Sequence, residues 1–125
     1  MKINDDHFET YLNNYDKCSL HPKLAPTYKV LPKILNNIIL YGPPGIGKYT
    51  QSLAIIRKYS PSNLKYEKKI SIPFNKNIYF YKISDIHFEI DMSLLGCNSK
   101  LLWNEIYTHI IDIMLAKTNN NGIIL

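Results

Sequence analysis

The segment Gly42-Pro43-Pro44-Gly45-Ile46-Gly47-Lys48 constrains the fold more than any other part of the chain. Its glycines and prolines stop one regular element and start another. The apolar run Ile38-Ile39-Leu40 stands before it and predicts a buried strand over Asn37–Tyr41. From Lys48 to about Tyr59 the pattern is helical, with Leu53, Ile55 and Ile56 as an apolar face and Ser60-Pro61 as the stop. A glycine-rich loop between a strand and a helix lets backbone N–H groups close around an anion as a nest. The N-terminal end of the helix adds partial positive charge, and Lys48 adds a full one. The spacing Gly-x4-Gly-Lys therefore predicts a P-loop, a phosphate-binding loop for a nucleoside triphosphate, with ATP the expected ligand. Its lining would be Gly42, Pro43, Pro44, Gly45, Ile46, Gly47, Lys48, Tyr49 and Thr50. The simpler alternative is a glycine-rich turn that binds nothing.

Further along, Lys65–Lys76 is polar, rich in lysine and broken by Pro73, and reads as a hairpin or a loop. Ile78–Ser84 is rich in Ile, Tyr and Phe and predicts a strand; Phe88–Asp91 predicts a second extended piece. Ser93–Ser99 is a turn region. Asn98 or Ser99 is placed to cap a helix from about Lys100 to Ala116, in which Leu102, Ile106, Ile110 and Ile113 recur at helical spacing as core positions. Trp103 lies off that stripe. Thr118–Gly122 reads as a turn, and Ile123-Ile124-Leu125 as the start of a strand. Residues 1–33 carry Pro22, Pro26 and Pro32 and read as an irregular segment, with a short helix around Asp6–Asn14 showing Phe8, Tyr11, Leu12 and Tyr15 on one side. Residues 34–125 would then form the nucleotide-binding domain. Alternation of strand and helix predicts an α/β fold with a largely parallel sheet and flanking helices.

Composition narrows the classes. With 125 residues, 46% of them hydrophobic, the chain forms one domain at most and buries a real core. No apolar run reaches the ~18–20 residues that cross a bilayer, and the polar, acidic start, Met1 to Glu9, is no signal peptide. Cys18 and Cys97 are isolated and predict reduced thiols in an intracellular protein. His7, His21, His87 and His109 have no metal-ligand spacing and read as structural or surface residues. The formal net charge of +5 permits contact with nucleic acid without requiring it. Lys65, Lys68, Lys69, Lys76 and Lys82 are candidates for phosphate-backbone contact, or simply a solvated basic loop.

One position departs from the P-loop pattern. The residue after the lysine is ordinarily Ser or Thr, which holds magnesium; here it is Tyr49, and Thr50 follows. One residue along a helix is about 100° of rotation. Thr50 is the candidate metal ligand only if the loop shifts; otherwise Mg2+ is held poorly. Tyr49 has a packing role as its simpler explanation, its ring covering the ribose or the helix face.

The segment Gly42 to Thr50 resembles the P-loop of clamp-loader ATPases of the AAA+ class. Ser84, His87, Glu89, Ser93 and Gly96, with Lys100 and Glu105 beyond them, are similar without a gap to a stretch of a small subunit in the replication factor C family. The offset Thr50 resembles the same subunit type. The likeness covers about residues 34–116. It implies an ATP-binding subunit of a five-membered ring that loads the sliding clamp on primed DNA, in the nucleus or at a cytoplasmic replication site. Its partners would be other clamp-loader subunits, and it has no membrane role. It also implies weak hydrolysis. The family's Walker B carboxylates, sensors and arginine finger would all lie beyond Leu125, so a truncated AAA+ core without turnover is expected. Arg57, the only arginine, stands on the P-loop helix, where it cannot be that finger. His87 and Glu89 read as strand surface, or as residues shaping a ring or DNA-facing surface.

Two rivals remain. Gly42 to Gln51 is also similar to the adenylate-kinase loop, which implies a nucleotide monophosphate kinase; a single arginine and a loop starting as late as residue 42 weigh against it. The other is an interaction fragment that docks on a neighbour and binds no nucleotide.

Overall fold

The computed structural model describes residues 6–118 and 121–125. Its centre is a four-stranded sheet in the order β1-β2-β3-β4: β1 Lys68–Phe74, β2 Asn77–Ile83, β3 His87–Glu89 and β4 Ile123–Ile124. The first two pairings are antiparallel, and only β3 and β4 run parallel. The expectation of a largely parallel P-loop sheet is therefore wrong, for reasons of chain length. Asn75 and Lys76 alone join β1 to β2, and both have positive φ, as a two-residue hairpin turn requires. Ser84, Asp85 and Ile86 alone join β2 to β3. Connections this short permit only antiparallel neighbours; the long passage through α4 permits the one parallel pair.

The second departure concerns Asn37–Tyr41. This run is irregular and exposed, not a buried strand; Ile39 is 86% and Tyr41 90% exposed. An apolar run makes a buried strand only where a sheet edge pairs with it. Here the edge position falls to β4, through Ile123 N–H to Ile86 O, 2.9 Å, and Leu125 N–H to Phe88 O, 2.8 Å.

Helices flank both faces of the sheet: α1 Phe8–Lys17, α2 Ala25–Lys29, α3 Lys48–Arg57 and α4 Ser99–Ala116. The short helix expected near Asp6–Asn14 is α1, shifted to Phe8–Lys17, and the rest of the segment expected to be irregular also holds α2 and a short 3-10 turn, Pro22–Leu24. Strand alternation sorts the core. Tyr81 and Phe88 face α4 and pack with Leu95, Leu102, Ile106 and Ile110, with Ile70, Ile72, Phe74 and Trp103 around them. On the other face Phe8 and Leu12 of α1 meet Leu53 and Ile56 of α3, with Ile86, Ile123 and Leu125 beneath. The core stripe of α4 falls where its spacing predicts, but Asn98 caps the helix by position only, without a side-chain bond. Ser93–Ser99 becomes a 3-10 segment, Met92–Asn98, anchored by Asp91. Residues 119 and 120 of the expected turn Thr118–Gly122 lie outside the described residues. No helix among the described residues is long and apolar enough to cross a membrane.

Charge is spent on joining these layers. Lys82, expected as a candidate for nucleic-acid contact, is buried: its ammonium pairs with Glu67 at 3.0 Å and donates to Asp6 O at 2.8 Å. Glu67 also accepts the Phe8 N–H at the first turn of α1, 3.0 Å. Asp85 accepts from the Ser60 and Ser62 hydroxyls and the Ser62 N–H, tying the chain after α3 to the turn between β2 and β3. Burial acts to raise the pKa of both carboxyls, but the hydrogen bonds outweigh it and hold both below their usual values. The folded chain therefore keeps these groups ionised to lower pH than the unfolded chain does. Their stabilisation is fully present above the ordinary carboxylate range and is lost as pH falls through their lowered folded-state values. Urea unfolding from pH 6 to pH 3 should show this loss, and Asp85→Asn should flatten it. An unchanged slope in that variant would mean the Asp85 knot contributes nothing.

Candidate functional site

The predicted loop is present as a turn from Gly42 to Gly47, followed by α3. Gly45 and Gly47 have φ of 78° and 88°, a left-handed conformation that a side chain would strain. Gly47 is the N-cap of α3, and its carbonyl receives the first helical bond, from Gln51 N–H at 3.0 Å. The Lys48 ammonium folds back and donates to the Gly42 carbonyl, drawing the two ends of the loop together. Pro43, Pro44 and Gly45 are exposed, and Ile46 to Thr50 half-buried. The turn geometry, the helix start and the lysine that phosphate binding needs are thus assembled. The strand expected to deliver the loop is replaced by exposed extended chain.

Behind the loop lies a groove of about 710 Å³ between that extended chain and β4. Lys48, Tyr49 and Ser52 form its polar side; Leu35, Ile38, Leu40, Ile55, Ile56 and Ile123 are among its apolar walls. Lys48 alone among the loop's charged groups reaches it.

Tyr49 has the packing role that is its simpler explanation, against the cluster of Phe8, Leu12, Leu53 and Ile56, and adds a polar contact. Its ring contacts Tyr11 edge-on at 4.8 Å, and its hydroxyl donates to both oxygens of Glu89, at 2.7 and 2.9 Å. Burial first, and then the Glu89 carboxylate, raise the phenol pKa far above its usual value. It stays a neutral donor and joins the first turn of α3 to the end of β3. Thr50, the candidate metal ligand, is half-buried on α3 and does not line the groove. The loop thus has the backbone and lysine chemistry that suits phosphate, whereas Thr50, expected to meet magnesium, is absent from the groove's lining. Among the described residues no cluster of three or more His, Cys, Asp or Glu suits a metal ion.

His87 and Glu89 are not surface residues. His87 is wholly buried against the Phe8 ring, centroids 5.0 Å apart. The Ser84 hydroxyl accepts the backbone N–H groups of Ile86 and His87, and so gives its own proton to His87 Nδ1. That leaves the ring proton on Nε2, which has no hydrogen-bond partner and faces Glu89 at 3.7 Å. Ser84, His87, Glu89 and Tyr49 therefore form one chain of contacts from the turn before β3 to the P-loop helix. The sequence resemblance singled out the first three, but the role they play here is internal support.

Sequence reasoning missed His21. It donates from Nε2 to the Ile46 carbonyl at 2.7 Å, and Leu20 beside it lies against Gly47. Tyr28 of α2 donates to the buried Gln51 of α3 at 2.8 Å. The N-terminal segment runs beside the loop through His21, although its prolines read as marks of an irregular segment. Arg57 forms a two-bond pair with Asp16 at 2.9 Å, away from the loop. Cys18 and Cys97 are free, exposed thiols.

The Tyr49–Glu89 contact predicts a stability effect. Tyr49→Phe leaves a half-buried carboxylate without its donor and should cost about 1–3 kcal/mol, read from urea unfolding. A change below about 0.5 kcal/mol would show that the bond contributes little.

No protein-family model, no curated protein and no solved structure matches this chain.

Proposed function

We propose that the chain binds ATP by its triphosphate at Gly42–Thr50 and holds it rather than turning it over. The observation that carries this reading is the joint placement of left-handed Gly45 and Gly47, the start of α3 and the Lys48 ammonium around one loop. Backbone N–H groups and a lysine are the chemistry that phosphate oxygens require. Tyr49 supports holding over turnover, because its hydroxyl is committed to Glu89 where a metal-binding hydroxyl would otherwise stand. Thr50 remains the one candidate for Mg2+, and a weak one.

The wider setting, a subunit of a clamp-loader-like assembly acting on the sliding clamp and DNA, rests on the sequence likeness of Gly42–Thr50 and Ser84–Gly96 alone. The kinase reading rests on Gln51, which is buried and bonded to Tyr28; the single arginine that weighs against it, Arg57, is engaged by Asp16. The interaction reading keeps one observation in its favour, the exposed run Ile38–Tyr41.

Titration with a fluorescent ATP analogue at fixed low salt should show saturable binding. Lys48→Ala should weaken it at least tenfold, or about 1.4 kcal/mol, and magnesium should change it little. Equal affinity in Lys48→Ala would remove the P-loop from the account. A large gain with magnesium would mean that Thr50 reaches the metal after all.

A further inference from the structure

The peptide joining Ile46 to Gly47 sits at the turn into α3, and its two polar atoms point in opposite directions because the peptide is planar and trans. Its carbonyl, on Ile46, accepts the His21 Nε2–H at 2.7 Å. Its N–H, on Gly47, is thereby directed away from the N-terminal segment. A P-loop works only if such N–H groups face the anion, and every N–H turned inward leaves a carbonyl turned outward that needs a donor. A flip of this peptide changes ψ of Ile46 and φ of Gly47, and Gly47, at φ 88°, has the freedom that only a glycine gives there. Something outside the loop has to set its orientation.

His21 is placed to do so. Two further contacts hold its segment to α3 and the chain after it: Tyr28 to Gln51 at 2.8 Å, and Tyr59 donating to the Pro32 carbonyl at 2.7 Å. Pro22 starts the 3-10 turn directly after His21, and Pro26 stands in the first turn of α2. Both narrow the paths open to the backbone here. The imidazole is thus carried by a braced strap rather than a free arm.

We propose that His21 is a positioning residue for phosphate binding: by holding the Ile46 carbonyl, it keeps the Gly47 N–H turned into the loop. The proposal rests on the P-loop reading above and adds the N-terminal strap to that site. His21 acts through the peptide and touches no ligand itself. Its removal lets the Ile46–Gly47 peptide flip, so that part of the population presents a carbonyl oxygen to the anion, which repels it. A side chain that donates from a similar distance restores the orientation.

The test uses the full chain, with folding of each variant checked by circular dichroism at the temperature of the titrations. His21→Ala should weaken the ATP analogue about five- to tenfold, on the scale of one lost hydrogen bond. His21→Gln, whose amide donates, should recover most of that loss. Inorganic tripolyphosphate, measured by competition, should lose the same factor as ATP, because the peptide acts on phosphates. In the ligand-free chain, nitrogen-15 spectra of the imidazole should show His21 protonated on Nε2. Wild-type binding that His21→Ala leaves unchanged overturns this proposal and spares the P-loop reading. Loss for ATP with none for tripolyphosphate also overturns it, since His21 would then serve the nucleoside. A neutral ring protonated on Nδ1 removes the donor and overturns it without any ligand. A folded wild-type chain that binds neither probe overturns the P-loop reading and this one together.

Discussion

Everything in this structure depends on the burial of α3. Its residues Gln51 to Ile56 are all buried in succession, so the helix has no solvent face along its middle. Phe8 and Leu12 of α1 close one side; Ile86, Ile123 and Leu125 close another. A helix enclosed in this way cannot rotate or slide without opening a cavity, and cavities in a packed core cost several kcal/mol. The glycine loop Gly42–Gly47 runs directly into the N-terminal end of that helix. Its position is therefore set by apolar packing well before any phosphate is considered.

Packing fixes position, and polar contacts fix orientation. Tyr49 to Glu89 sets the rotation of α3 against β3; Gln51 to Tyr28 sets it against α2. Both lie in the first turns of the helix, next to the loop. Among the described residues, the one buried side-chain polar atom without a hydrogen-bond partner is His87 Nε2. Its proton faces a carboxylate at 3.7 Å, too long for a hydrogen bond yet favourable between a polarised N–H and a negative charge. That near miss is tolerable because Glu89 already accepts the Tyr49 hydroxyl proton, shared between its two oxygens.

The parts of the chain that could be read in advance are those whose signal is local. The α4 stripe Leu102, Ile106 and Ile110 is buried as its spacing implies, and the glycine loop and the helix at Lys48 stand where the motif puts them. The β2 strand also follows from its aromatic and branched residues. What failed was pairing, which is not local. Ile38-Ile39-Leu40 has the composition of a buried strand, yet burial depends on a neighbour that composition does not reveal. Lys82 looked like a surface lysine until its partner Glu67 came from the far end of the hairpin. His21 carried no signal at all, because the group it serves, the Ile46 carbonyl, belongs to every residue type alike.

The exposed run before the loop also explains how the loop is held. In a chain where a sheet strand leads into the turn, strand hydrogen bonds anchor the first residue of the turn. Here residues 37–41 lie outside the sheet, so that anchor is missing. Two substitutes are present: the Lys48 ammonium on the Gly42 carbonyl at one end, and His21 on the Ile46 carbonyl near the other. If ATP binds as proposed above, the first would be given up when Lys48 turned to meet a phosphate, because the ammonium that closes the loop is the one that would bind. The second would remain, since His21 touches no ligand on that reading. Ligand entry would then exchange a bond within the loop for one to the ligand, and the net gain from the lysine would be correspondingly reduced.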